Sequence, residues 1–73
     1  MQRNFDDGGL VDVNSVPAEV LMRLSGMTAE MAERVVHVRE IRGPYGSVEE
    51  LSVFAELPPS LADRLAEYLL FVR

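Results

Sequence analysis

The sequence predicts an all-α domain of four to five short helices, and three observations carry that expectation. Apolar residues recur at helical spacing from Met31 to Val38 and again from Leu61 to Val72. Three turn-forming clusters, Ser25-Gly26-Met27-Thr28, Gly43-Pro44-Tyr45-Gly46 and Leu57-Pro58-Pro59-Ser60, cut the chain into helix-sized pieces. Sliding the chain against itself by thirty residues pairs Leu21 with Leu51, Met27 with Leu57, Met31 with Leu61, Ala32 with Ala62, Arg34 with Arg64 and Val35 with Leu65. The repeat reads as two copies of a short helix, a tight turn and a longer helix, packed about a pseudo-twofold so that each buries the other's apolar face.

Residues 1–9 read as a flexible polar leader ending in glycine, and residues 10–73 as the folded domain. Leu10 to Asn14 alternates apolar and polar like a short extended segment lying along the body. Ser15 and Pro17 signal a helix start, the hydroxyl taking an orphan amide and the proline standing where no amide proton is needed, for a helix over about 17–24. Thr28 caps a longer second helix over about 29–42, with Met31, Ala32, Val35, Val36 and Val38 on one arc and Glu30, Glu33, Arg34, His37 and Glu40 opposite. Ser47 to Glu50 spells a capping box, in which Ser47 accepts from the amide of Glu50 and the Glu50 carboxylate returns to the amide of Ser47, opening a third helix to about Phe54. Ser60 with Asp63 opens a final helix whose Leu61, Leu65, Tyr68, Leu69 and Val72 share a face. No sheet is expected.

The 73 residues are 48% hydrophobic and 26% charged, enough apolar content for one small core and too little length for two. The absence of cysteine excludes a disulfide scaffold, a thiol nucleophile and a cysteine-ligated zinc site. No apolar run approaches the ~20 residues of a membrane span, and Met1 to Asp7 lacks the basic and apolar regions of a signal peptide, so the chain reads as a soluble segment of unknown compartment. Seven arginines and no lysine stand against twelve acids, a net charge of -5 that argues against a dedicated polyphosphate binder. Residues 1–20 and 47–73 carry -3 each, whereas residues 21–46 carry +1, with Arg23, Arg34, Arg39 and Arg42 against three glutamates.

The run Leu24 to Val35 resembles the helix-hairpin-helix motif, whose usual form is a Pro-Gly-apolar-Gly turn, an alanine and a further apolar residue; Gly26, Met27, Ala32 and Val35 fit. With Val13-Asn14-Ser15-Val16-Pro17 before it and Gly46-Ser47-Val48-Glu49-Glu50-Leu51 after it, the chain is similar to the tandem domains of ComEA-type competence DNA receptors and of K-type minor pseudopilins of type II secretion. The resemblance covers about 10–72, with a first motif at about 17–42 and a second at about 47–72. It implies a SAM-like helical bundle, and a bacterial parent that is membrane-attached or engaged in secretion or DNA uptake.

In DNA-binding members of that family, glycine lets backbone amides at the hairpin turn point at a phosphate near a helix N-terminus. The candidate phosphate site is therefore Ser25, Gly26, Met27, Thr28 and Ala29, with Arg23, Arg34, Arg39 and Arg42 as candidate cations. Thr28 stands at the usual second glycine and Glu30 where a basic residue would help, which weakens the site. In the second hairpin Glu56 and Pro58 replace both glycines and Pro59 follows, so that copy reads as structural. Arg39 and Arg42 also have a plainer reading as cations at a helix C-terminus. Tyr45 reads as a plug over the core rather than a base-stacking platform. His37 and the pairs Asp6-Asp7 and Glu49-Glu50 read as solvated charge, so neither a metal site, a cofactor nor an enzyme is expected. Leu70 and Phe71 fall off the core arc of the last helix and are the candidate protein interface, unless they pack on Leu10 to Val13 or on a neighbouring domain of a longer chain. Two functions follow: a non-catalytic protein-interaction or structural module of a larger protein, or, as the alternative, weak sequence-independent binding of the double-stranded DNA backbone.

Overall fold

The computed structural model describes residues 6–7 and 10–72. Its elements run β1 (Asp6–Asp7), β2 (Leu10–Asp12), α1 (Ala18–Leu21), α2 (Ala29–Arg42), α3 (Val48–Phe54), α4 (Pro59–Leu65), a 3₁₀ turn (Ala66–Tyr68) and β3 (Leu69–Leu70). The domain is mostly helical, with four α-helices among the described residues. The leader expected over residues 1–9 lies outside the described residues apart from Asp6–Asp7, which pair antiparallel with β2.

The repeat is visible in the core. Leu21 and Leu51, Met27 and Leu57, Ala32 and Ala62, and Val35 and Leu65 are all buried, so each partner in the thirty-residue offset occupies an equivalent place. Both hairpin turns also put the equivalent residue at positive φ, Gly26 at 91° and Glu56 at 58°. On α2 the expected face holds: Ala32 and Val35 are buried, while Met31, Val36 and Val38 pack half-buried against the core. Glu30, Glu33, His37 and Glu40 are exposed, whereas Arg34, expected on the same arc, is half-buried against the other copy. Thr28 caps α2, accepting from the Met31 amide at 3.1 Å, and Gly43 ends it at φ 108°.

Four sequence expectations change. The first helix is one turn long, with Pro17 as its N-cap and no side-chain cap. Ser15 instead donates to the Asp12 carboxylate at 2.8 Å, and Met22 to Leu24 continue as looser turns. At α3, Ser47 accepts from the Glu50 amide at 3.2 Å as expected, but the Glu50 carboxylate takes the amide of Gly46, at 2.7 Å, rather than that of Ser47. Ser60 does not cap α4, which starts one residue earlier at Pro59, a residue whose missing amide proton costs nothing in a first turn.

The largest change is at the C-terminal end. The expected final helix stops at Leu65, and Leu69–Leu70 form a strand parallel to β2, with Val11 opposite Leu69 and Asp12 opposite Leu70. The Val13 amide donates to the Leu70 carbonyl at 3.1 Å, so an edge that a helix would have left unpaired is satisfied. Leu61, Leu65 and Leu69 are buried, yet Tyr68 and Val72 are exposed because the period changes from helical to extended between them. A three-stranded sheet, ordered β1-β2-β3, thus edges the helical body.

Candidate nucleic-acid interface

The first hairpin turn projects from the junction of α1 and α2. Ser25, Gly26, Thr28 and Ala29 are exposed, while the Met27 side chain is buried and anchors the turn from beneath. Gly26 serves two needs here. Its φ of 91° suits a residue without a Cβ, and a Cβ built there would stand 2.8 Å from both Leu61 Cδ1 and Arg64 Nη2. The Thr28 oxygen already accepts the Met31 amide, leaving its hydroxyl proton as an outward donor. Glu30 sits exposed in the first turn of α2, where its carboxylate competes with an incoming anion for the positive end of the helix.

The four nominated arginines do not converge on this turn. Arg34 Nε donates to the Ala55 carbonyl at 2.8 Å, closing the C-terminal end of α3. Arg39 Nη1 donates to the Val13 carbonyl at 3.0 Å, and Arg42 stacks over the Phe54 ring with its guanidinium carbon 3.4 Å from the centroid. Arg23 is exposed on the turn after α1. The cation that does reach the hairpin is Arg64 of α4, whose guanidinium lies against Gly26. The sequence held a signal for it, because the thirty-residue offset pairs Arg64 with Arg34.

The second hairpin is built for rigidity. Glu56 turns the chain at φ 58°, the Leu57 amide donates to the Ser52 carbonyl at 3.0 Å, and the Ser52 hydroxyl donates to the Leu57 carbonyl at 3.0 Å. Pro58 and Pro59 then present no amide protons at the start of α4. Tyr45 is fully buried in the loop between the copies, with its hydroxyl donating to the Val35 carbonyl at 2.9 Å. Burial pushes its phenol up to about 12, against the lowering pull of Arg39 and Arg42.

Two hairpins of the same design, each with its positive-φ turn residue followed by a buried apolar residue, are packed here about one core. The family model described as a helix-hairpin-helix motif matches residues 6–70. The chain belongs to the helix-hairpin-helix family. A helix-hairpin-helix motif points to nucleic-acid binding or to a structural role. Among curated proteins the chain is similar to the "Endonuclease/exonuclease/phosphatase family domain-containing protein 1" of Danio rerio, 34% identical over 55 residues, and of Xenopus laevis, 36% identical over 55 residues. Each match covers 75% of this chain and 10% of the relative, so the helix-hairpin-helix segment spans about a tenth of those proteins. No solved structure matches.

Leu70 and Phe71, nominated as a partner surface on the outside of a helix, are not on a helix. Leu70 lies half-buried in β3 beside Asp12, and Phe71 is half-buried against the core. Among the described residues no three His, Asp or Glu side chains gather as a metal site, and no helix is long and apolar enough to cross a membrane.

Proposed function

We propose that this chain is a non-catalytic helix-hairpin-helix module serving as a protein-interaction or structural domain of a larger protein. One observation carries the reading: Arg34, Arg39 and Arg42, three of the four cations the sequence offers to assist a phosphate, are anchored on the Ala55 carbonyl, the Val13 carbonyl and the Phe54 ring rather than at the Gly26 turn. Backbone binding of DNA draws on such cations for most of its affinity, and the net charge of -5 opposes it further. The order of sequence motifs, an Asn14-led entry, the Gly26 hairpin and the Ser47 to Glu50 capping box, supports a parent that is membrane-attached or works in secretion or DNA uptake, and the module itself needs no cofactor in this role.

The alternative is weak, sequence-independent binding of the DNA backbone at Ser25 to Ala29, and one observation favours it. Arg64 lies against Gly26, so the first hairpin has a cation from the other copy. A titration with a short mixed-sequence duplex, followed by NMR at low salt and again at about 0.15 M, separates the two. The expected result is silence of the Gly26 to Ala29 amides at protein concentrations near a millimolar. Shifts confined to that hairpin and lost with salt would replace the interaction reading with the DNA one.

A further inference from the structure

The second hairpin, which has lost the features of a phosphate site, carries a different one. Between α3 and α4 runs a groove of about 240 Å³, lined by Val48, Ser52, Val53, Pro59 and Ala62 together with Glu49 and Asp63. A cavity of about 150 Å³ already accepts a benzene-sized group, so there is room for an aliphatic anchor. The two adjacent apolar residues at the end of α3 are treated differently by the fold. Phe54 is covered by the Arg42 guanidinium, whereas Val53 is 68% exposed.

The charge around the groove selects its occupant. Both ionisable residues lining it, Glu49 and Asp63, are acidic and exposed. Arg64, the next residue along α4, points its guanidinium at Gly26 in the other hairpin. Residues 47–73 carry five acids against two arginines. Exposed carboxylates on an apolar groove repel DNA, anionic lipid and acidic peptides, and the pair complements an apolar side chain flanked by cations. We infer that the α3–α4 groove docks a basic amphipathic segment of a protein partner, an aliphatic anchor seated on Val53 and Pro59 with lysine or arginine on either side pairing with Glu49 and Asp63. The inference rests on the reading of this chain as an interaction module and gives that module a face and a partner chemistry.

The test is an NMR titration of the whole chain with a lysine-rich peptide carrying two leucines one helical turn apart, alongside a peptide with serines for those leucines and one with glutamates for the lysines. Shifts at residues 48–53 and 59–63 are expected with the first peptide only. Val53→Gln, at an exposed position that leaves the fold intact, puts a polar amide under the partner's anchor and weakens that binding at least about fivefold. Glu49→Gln with Asp63→Asn weakens it about two- to fivefold and flattens its salt dependence. Silence near a millimolar, equal shifts with the serine peptide, or shifts at these residues with duplex DNA would each overturn the inference. Shifts from the leucine peptide at another face would overturn the groove while leaving the interaction reading standing. A salt-sensitive response to duplex DNA at Gly26 to Ala29 is instead the result that removes that underlying reading.

Discussion

Arg34 of the first copy donates its Nε to the carbonyl of Ala55, the C-terminal cap of α3 in the second copy, at 2.8 Å. The repeat offset carries Arg34 onto Arg64 and Ala55 onto Ser25, and Arg64 lies against the neighbouring Gly26. The second helix of each copy thus sends an arginine to the turn of the other. The Arg34 bond satisfies a carbonyl that a helix end leaves without an intrahelical partner.

Removing this bond should act on stability. Arg34→Ala deletes a charged donor and leaves the Ala55 carbonyl unpaired, a loss of about 1–3 kcal/mol. Thermal unfolding should record a midpoint about 4–8 °C lower for each kcal/mol. Arg34→Lys should recover only part of it, because a lysine cannot place a donor at the Nε position. An unchanged midpoint for Arg34→Ala would show that the contact between the copies is idle.

The two turn residues at positive φ predict opposite responses. Gly26→Ala meets Leu61 Cδ1 and Arg64 Nη2 at 2.8 Å and forces a φ of 91° on an L side chain, so it should destabilise by about 1–3 kcal/mol. Glu56→Gly relieves a left-handed glutamate at φ 58°, worth about 1–2 kcal/mol before the entropic cost of glycine is subtracted, and should be neutral to stabilising. Urea unfolding of both variants checks the pair. If both shift the midpoint downward by the same amount, turn conformation is not what distinguishes them. Gly26 substitutions therefore perturb the fold itself, and a loss of DNA binding in them is interpretable only beside a stability measurement.

Much of this architecture was legible in the sequence because its signals are local. The α2 helix announced itself through a Thr28 cap, apolar residues at helical spacing from Met31 to Val38 and a terminal Gly43. The repeat was equally plain, since buried residues recur at a fixed offset. What stayed hidden depends on distant partners. Leu65 and Leu69 fit a helical period as well as a helix-to-strand junction, and only β2, more than fifty residues earlier in the chain, decides between them. The same holds at the candidate site. The Gly26 turn could be read from its neighbours, whereas the destinations of Arg34 and Arg39 are carbonyls 21 and 26 residues away.

Tyr45 ties stability to high pH. Its phenol is neutral in the fold up to about 12, whereas in the unfolded chain it ionises near 10. Between those values the unfolded state sheds a proton that the folded state keeps, so stability falls as pH rises. The contribution is fully present below pH 10 and lost as pH climbs through about 12. Tyr45→Phe should cost about 0.5–1.5 kcal/mol at neutral pH through loss of the bond to the Val35 carbonyl. It should also flatten the decline between pH 10 and 12. Urea midpoints measured across that window check both effects, and parallel curves for the two proteins would remove Tyr45 as the source.

Asn14 joins three segments that are far apart in sequence. Its Nδ2 donates to the carbonyls of Tyr45 at 2.9 Å and Val72 at 3.1 Å, while its Oδ1 accepts the Tyr45 amide at 2.7 Å. An amide is the side chain that both donates and accepts at this reach, which is why asparagine stands where the chain enters the first copy. Asn14→Asp keeps the size and the bond from the Tyr45 amide, but turns a donor facing two carbonyls into an anion. The expected loss is about 1–3 kcal/mol at neutral pH. Asn14→Ala removes all three bonds without adding a charge. Lowering the pH to protonate the introduced carboxyl should return part of the stability to the aspartate variant and none to the alanine variant, because only the protonated acid can donate again. Unfolding midpoints of both variants at pH 7 and near pH 3, each referred to the unsubstituted protein, provide the comparison. A loss that ignores pH in the aspartate variant would show that the donor side of Asn14 is dispensable and that the Tyr45 amide alone holds the joint.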